Sequence, residues 1–237
     1  KLESSKYFKQ AADSGDINSM IKYAKMLYEG DGIPKDIEES IRYIKKAIKK
    51  ENPDSMKLFA DLLYDGEGVE MDKEEAARYY KLAADKGCAP AMCCYGDMLF
   101  KGDIISMDKN EAANYYKMGA EKGNINSIKN YAFMLRDGDG IPADKEEAAR
   151  LFKLAANNGD ALSMTSYAIM IKNGDGIQEN KVEAVKYLKN AIDKGDIFAL
   201  NVYADMLLEG DGVPIDKKEA ARLFKIGMEN DNLYSIY

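Results

Sequence analysis

Histidine is absent from the 237 residues, and so is tryptophan. Without an imidazole there is no histidine-dependent triad, no histidine metal site and no histidine acid–base step. The three cysteines, Cys88, Cys93 and Cys94, form no Cys-x-x-Cys pair, which argues against a thiolate zinc site and leaves them as free, mostly buried thiols. No Asn-x-Ser/Thr sequon occurs, and with so few cysteines a reducing, cytoplasmic setting is expected. No apolar run is long enough for a membrane-spanning helix. No GxxxxGK(S/T) loop is present, and no GxGxxG follows a strand. Basic residues are outnumbered 34 to 41, a net charge of −7, and such a surface repels the phosphate backbone of nucleic acids. No catalytic residue, metal or cofactor is therefore assigned.

What is present is a strict periodicity. Gly-x-Gly pairs stand at 30/32, 66/68, 138/140, 174/176 and 210/212, and Gly102 keeps the grid although Ile104 replaces its second glycine. The interval is 36 throughout. A further glycine closes most repeats, at 15, 87, 123, 159 and 195, with Glu51 and Asp231 in the remaining two places. Six repeats follow, 16–51, 52–87, 88–123, 124–159, 160–195 and 196–231, preceded by the second helix of a partial repeat (1–15) and followed by the start of another (232–237). Because both end pieces are incomplete repeats, the native protein is expected to be longer at each end.

Each repeat reads as two helices. In the first repeat Met20, Tyr23, Ala24 and Leu27 recur at i, i+3, i+4, i+7 across 17–29, the period of an amphipathic helix. Gly30 then stops that helix, and Asn52 before Pro53 reads as the start of the next. Every second helix opens with capping-box spacing: Asp36–Glu39, Asp72–Glu75, Asp108–Glu111, Asp144–Glu147, Asn180–Glu183 and Asp216–Glu219. In five repeats that Glu sits three residues before a base: Arg42, Arg78, Arg150, Lys186 and Arg222. Sixfold recurrence suits a folding role better than an acid–base site. Aromatic residues at 23, 59, 95, 131, 167 and 203, with Tyr79, Tyr80, Tyr115, Tyr116, Phe152 and Phe224 on second helices, read as a stacked core beside small residues at 19, 55, 91, 127, 163 and 199. The third repeat, with Pro90 and Ile104-Ile105, is expected to be locally irregular, and the partial repeat at the start carries the core pattern Tyr7, Phe8, Ala11, Ala12.

These columns, seen best in "SMTSYAIMIKNGDGIQENKVEAVKYLKNAIDKG", resemble the Sel-one-like repeat (SLR), a relative of the tetratricopeptide repeat, over nearly the whole chain. The family's usual tryptophan of the second helix is Tyr or Leu here. The resemblance implies an all-α fold, a right-handed α/α superhelix (solenoid) of six TPR-like repeats with first helices on the concave face. It implies a scaffold or adaptor and no activity. The one-disulfide-per-repeat pattern of some secreted members is not matched by Cys88, Cys93 and Cys94. The "DGDG" turns suggest calcium, but with Gly140 as the sharp-turn glycine the first ligand position falls on Leu135, so the register fails.

Positions that vary between repeats carry the functional signal. On the first helices of repeats four to six the variable stripe holds Phe133, Leu162, Ile169, Phe198 and Val202, flanked by Asp97, Asp137, Asp205 and Glu209. The apolar five are expected to form one concave surface for a protein or peptide partner bearing basic residues beside apolar anchors. The alternative is a structural component of a large assembly, contacted on several faces. An enzyme ranks third.

Overall fold

The computed structural model describes the backbone of residues 2–234 and side chains as far as Asn230. Within these residues there are thirteen helices and no strand. They run α1 (Leu2–Asp13), α2 (Ile17–Glu29), α3 (Ile37–Ile48), α4 (Pro53–Asp65), α5 (Lys73–Asp85), α6 (Ala89–Lys101), α7 (Lys109–Glu121), α8 (Ile125–Asp137), α9 (Lys145–Asn157), α10 (Ala161–Asn173), α11 (Lys181–Asp193), α12 (Ile197–Glu209) and α13 (Lys217–Tyr234). The chain divides into two compact units, residues 1–127 and 128–237.

Local chemistry explains the boundaries. All six second helices of the full repeats are capped as their sequences require: the Asp36, Asp72, Asp108, Asp144, Asn180 and Asp216 side chains each accept the backbone N–H three residues on. The box glutamates, however, do not serve mainly as the reciprocal half of the cap. Glu39, Glu75, Glu147 and Glu219 pair with the arginine one turn later, where the guanidinium offers a charged partner in place of a backbone amide. Glu183 faces Asn180 and Lys153 instead. First helices carry a side-chain cap as well, read from the sequence only at Asn52. Asp16, Asn52, Asn124 and Asp160 each accept the N–H three residues on, and Asp196 that of Phe198. Cys88 stands at this place in the third repeat and makes no side-chain capping bond.

The third repeat is otherwise regular: α6 and α7 have the same 13 residues as their counterparts in the next repeat, α8 and α9. Pro90 lies in the first turn of α6, where no amide is lost from the ladder. Glu51 adopts the left-handed conformation of the repeat-closing glycines, with φ 59. At Asp231 the chain does not turn, and α13 continues to Tyr234. The last residues, 235–237, fall outside the described residues.

In the first unit each first helix packs on its own second helix and on the second helix before it: α2 on α3 and α1, α4 on α5 and α3, α6 on α7 and α5. In the second unit α10 packs on α9 and α11, and α12 on α11 and α13. Four intra-repeat edge-to-face aromatic pairs hold the stacks, Tyr23–Tyr43, Phe59–Tyr79, Tyr95–Tyr115 and Tyr167–Tyr187, with centroids 4.9–5.1 Å apart. Successive repeats are tied by the second-helix tyrosines: Tyr43 Oη donates to Asp13 at 2.6 Å and Tyr115 Oη to Asp85 at 2.9 Å. Tyr7, read from the sequence as core, is 66% exposed, because no helix of the described chain precedes α1 to cover it.

Candidate functional site

The variable stripe of the second unit lies on α8, α10 and α12. These first helices stand beside one another. The Lys129 ammonium donates to the N-cap carboxylate of α10, Asp160, at 3.0 Å, and Thr165 Oγ1 donates to that of α12, Asp196, at 2.5 Å. Leu162 in the first turn of α10 is 42% exposed, and Phe198 in the first turn of α12 is 55% exposed. Phe133, Ile169 and Val202 are half-buried. On α10 the strip is interrupted, since Ser166 between Leu162 and Ile169 is buried. The open part therefore centres on Leu162 and Phe198.

Phe133 belongs partly to the core. Its ring packs edge-to-face on the fully buried Phe152, centroids 4.9 Å apart, and the Arg136 guanidinium lies 4.9 Å from its centroid. Asp205 and Glu209 are exposed on α12, on the same side as Phe198 and Val202. Asp137 is exposed at the end of α8 and takes two bonds from Arg136, at 2.6 and 2.8 Å. Those bonds hold its carboxyl below the usual aspartate range. Asp97 lies on α6 in the first unit and accepts from Tyr116 Oη at 2.6 Å.

A second feature went unread in the sequence. In the first unit, Tyr64, Tyr80, Cys94, Asp97, Met98, Lys101, Asp103 and Ile104 line a cavity of 210 Å³. At its back Tyr80 Oη donates to Asp61 at 2.7 Å, and Lys57 Nζ reaches the other oxygen of the same carboxylate at 2.7 Å. Burial and the Asp61 carboxylate raise the Tyr80 hydroxyl above its ordinary pKa. Burial pushes the Cys94 thiol up to about 11, so it is a protonated, weakly nucleophilic group at neutral pH. The signal was available in the columns. Aspartate at 61 and 97 occurs where the second helix offers Tyr80 and Tyr116, whereas repeats four and five place Phe133 with Phe152 and Ile169 with Leu188. No group of three or more metal-ligating side chains exists among the described residues. None of the described helices is long and apolar enough to cross a membrane.

Known proteins share this architecture. A protective antigen of uropathogenic Escherichia coli with an SLR fold superimposes with a TM-score of 0.86 at 25% identity, over 97% of this chain and 49% of the antigen. The chain thus spans about half of that protein's length. A Sel1 repeat protein from Oxalobacter formigenes gives a TM-score of 0.81 at 22% identity, over 97% of this chain and all of the other. One from Klebsiella pneumoniae gives 0.54 at 16% identity, over 85% and 98%. Among curated proteins no sequence matches. The Sel1 repeat model matches seven segments, 6–16, 17–52, 53–88, 89–124, 126–160, 161–196 and 197–232, and the chain belongs to the Sel1 repeat family.

Proposed function

We propose that this chain is a non-enzymatic scaffold that binds a protein partner on the first-helix face of its second unit, the face that the repeat family presents on its concave side. Proteins of this family serve in general as protein-interaction scaffolds. The observation that carries the reading is the exposure of Leu162 and Phe198 on adjacent first helices, α10 and α12, whose other large apolar residues are mostly buried or half-buried. An exposed aromatic ring beside an aliphatic side chain concentrates binding energy. Asp205 and Glu209 on the same face favour a partner with basic residues beside its apolar anchors. The three free thiols suit a reducing compartment such as the cytoplasm.

A photo-crosslinking amino acid at position 162 or 198 tests this, with position 182 on α11 as an exposed control. The same protein should be captured from positions 162 and 198 and not from 182. Its affinity for the Leu162→Ala/Phe198→Ala variant should fall by about 1–3 kcal/mol. Equal capture from all three positions would reject the single-face reading. It would support a component contacted on several faces, a reading favoured by the exposed Leu82, Met118 and Leu154 on second helices.

A further inference from the structure

The sixth repeat keeps half of a latch. In repeats two and three the first-helix aspartate is held by the second-helix tyrosine, Asp61 by Tyr80 at 2.7 Å and Asp97 by Tyr116 at 2.6 Å. Asp205 occupies the same position of α12, but Phe224 stands where the tyrosine would be and has no hydroxyl to donate. Among the described residues no ion pair or side-chain hydrogen bond reaches the carboxylate of Asp205 or that of Glu209, one turn further on, and both residues are exposed. The α10 stripe beside them ends in Asn173, and the neighbouring Lys172 turns to Asp211, 3.9 Å away. The fold thus leaves two acids open on the face that also exposes Phe198 and Leu162.

These groups follow one another along α12 as Phe198, Val202, Asp205 and Glu209, a spacing of i, i+4, i+7, i+11. With a rise of about 1.5 Å per residue, the acids stand about 10 and about 16 Å along the helix from the ring. An extended segment covers about 10 Å in about three residues, and its third-next side chain points away from the side of the first. It would also lay backbone N–H and C=O groups on an apolar strip where Ser166 is buried and Asn173 is the one amide. A helix meets neither difficulty. It bonds its own backbone, and it returns side chains to one face at the same i, i+4, i+7, i+11 spacing. Running parallel to α12, it would carry its bases towards its own C-terminal end, where its dipole favours them.

We propose, resting on the reading of this face as the binding surface, that its occupant is an amphipathic α-helix of a protein partner. The helix lies parallel to α12, with apolar side chains at i and i+4 over Phe198, Leu162 and Val202, and with Lys or Arg at i+7 and i+11 on Asp205 and Glu209. The first of these bases gives Asp205 the donor that Tyr80 and Tyr116 give Asp61 and Asp97.

The test is a titration of the full chain, labelled at isoleucine, leucine and valine methyls, with three capped alanine–glutamine peptides of about 18 residues, long enough to form a helix. The first carries leucine at i and i+4 and arginine at i+7 and i+11. In the second both arginines are moved two residues on, to the opposite face, so that charge and composition are unchanged. In the third a central alanine is replaced by proline, which breaks the helix. The first peptide should shift the Leu162, Ile169 and Val202 methyls saturably. It should bind about threefold to tenfold more tightly than the second, and at least about tenfold more tightly than the third. Asp205→Asn/Glu209→Gln, two exposed changes, should erase its advantage over the second peptide. Equal affinity of all three peptides at these methyls would overturn the helix and leave the binding face standing. An advantage that survives Asp205→Asn/Glu209→Gln would overturn the placing of the bases. No shift with any peptide would reject the helical occupant, while crosslinking from positions 162 and 198 decides the face by itself.

Discussion

Phe133 and Phe152 meet edge-to-face at 4.9 Å and 73°, at the repeat position where Asp61 and Tyr80 make a 2.7 Å hydrogen bond. One pair of facing positions thus carries two chemistries, a polar latch in repeats two and three and an apolar contact in repeat four. In repeats two to four the two halves match, since a carboxylate against the buried Phe152 would be desolvated without a donor, whereas in repeat six Asp205 stands opposite Phe224 and stays exposed. Tyr80→Phe should therefore destabilise the chain by about 1–2 kcal/mol, because Asp61 loses a donor while retaining Lys57. Urea unfolding with an unchanged m-value would measure it. No loss of stability would mean that the latch contributes nothing.

Two buried serines should respond in opposite ways. Ser40 Oγ donates to the Ala24 carbonyl at 2.7 Å inside the α2–α3 pair, whereas the buried Ser163 Oγ has no partner. Ser40→Ala should cost about 1–2 kcal/mol. Ser163→Ala should be neutral or stabilise by up to about 1 kcal/mol, since alanine already serves at the equivalent positions Ala91 and Ala199. Thermal melts of the two variants side by side check the sign.

Most of the fold was legible because the repeat averages out local ambiguity: six capping boxes and a 36-residue glycine grid leave little choice of element or boundary. The binding features were less legible for the opposite reason. Whether Phe133 faces solvent or Phe152 depends on the packing of α8 against α9, and a stripe drawn on one helix cannot express that. The buried Ser166 likewise breaks a strip that spacing alone made continuous. Nor does spacing along one helix bring Tyr64 of α4, Tyr80 of α5 and Met98 of α6 together with Ile104 around one cavity.

The start of α6 is a place where the sequence can be improved. Cys88 makes no capping bond, and its thiol lies 3.6 Å from the Asp54 carboxylate. Cys88→Asn restores the cap used at Asn52 and Asn124 without setting a second carboxylate beside Asp54. A gain of about 0.5–1.5 kcal/mol is expected. Amide exchange at Ala91, the third residue beyond the cap, should slow in step with it. Unchanged exchange would show that the helix start is already held by its tertiary contacts.

Acid should loosen the second unit through Asp160. Burial opposes its charge, yet the Ser163 hydrogen bonds and Lys129 outweigh burial and hold its carboxyl below the ordinary aspartate value. The folded state thus binds this proton less readily than the unfolded chain, whose aspartates titrate near about 3.9. Its contribution is fully present above that value and is lost as pH falls through the lower, folded one. Asp160→Asn keeps a capping oxygen for Ser163 but removes the charge opposite Lys129, whose side chain is 19% exposed. At pH 7 the variant should be about 1–2 kcal/mol less stable. Between about pH 4 and 2 its stability should fall less steeply than that of the parent, so the two curves converge on acidification. Parallel curves over that range would assign the acid sensitivity to other carboxylates. Asp16 is also held below its ordinary value by its Ser19 bonds. It lies in the other unit, so amide exchange in α10 against α2 separates the two contributions.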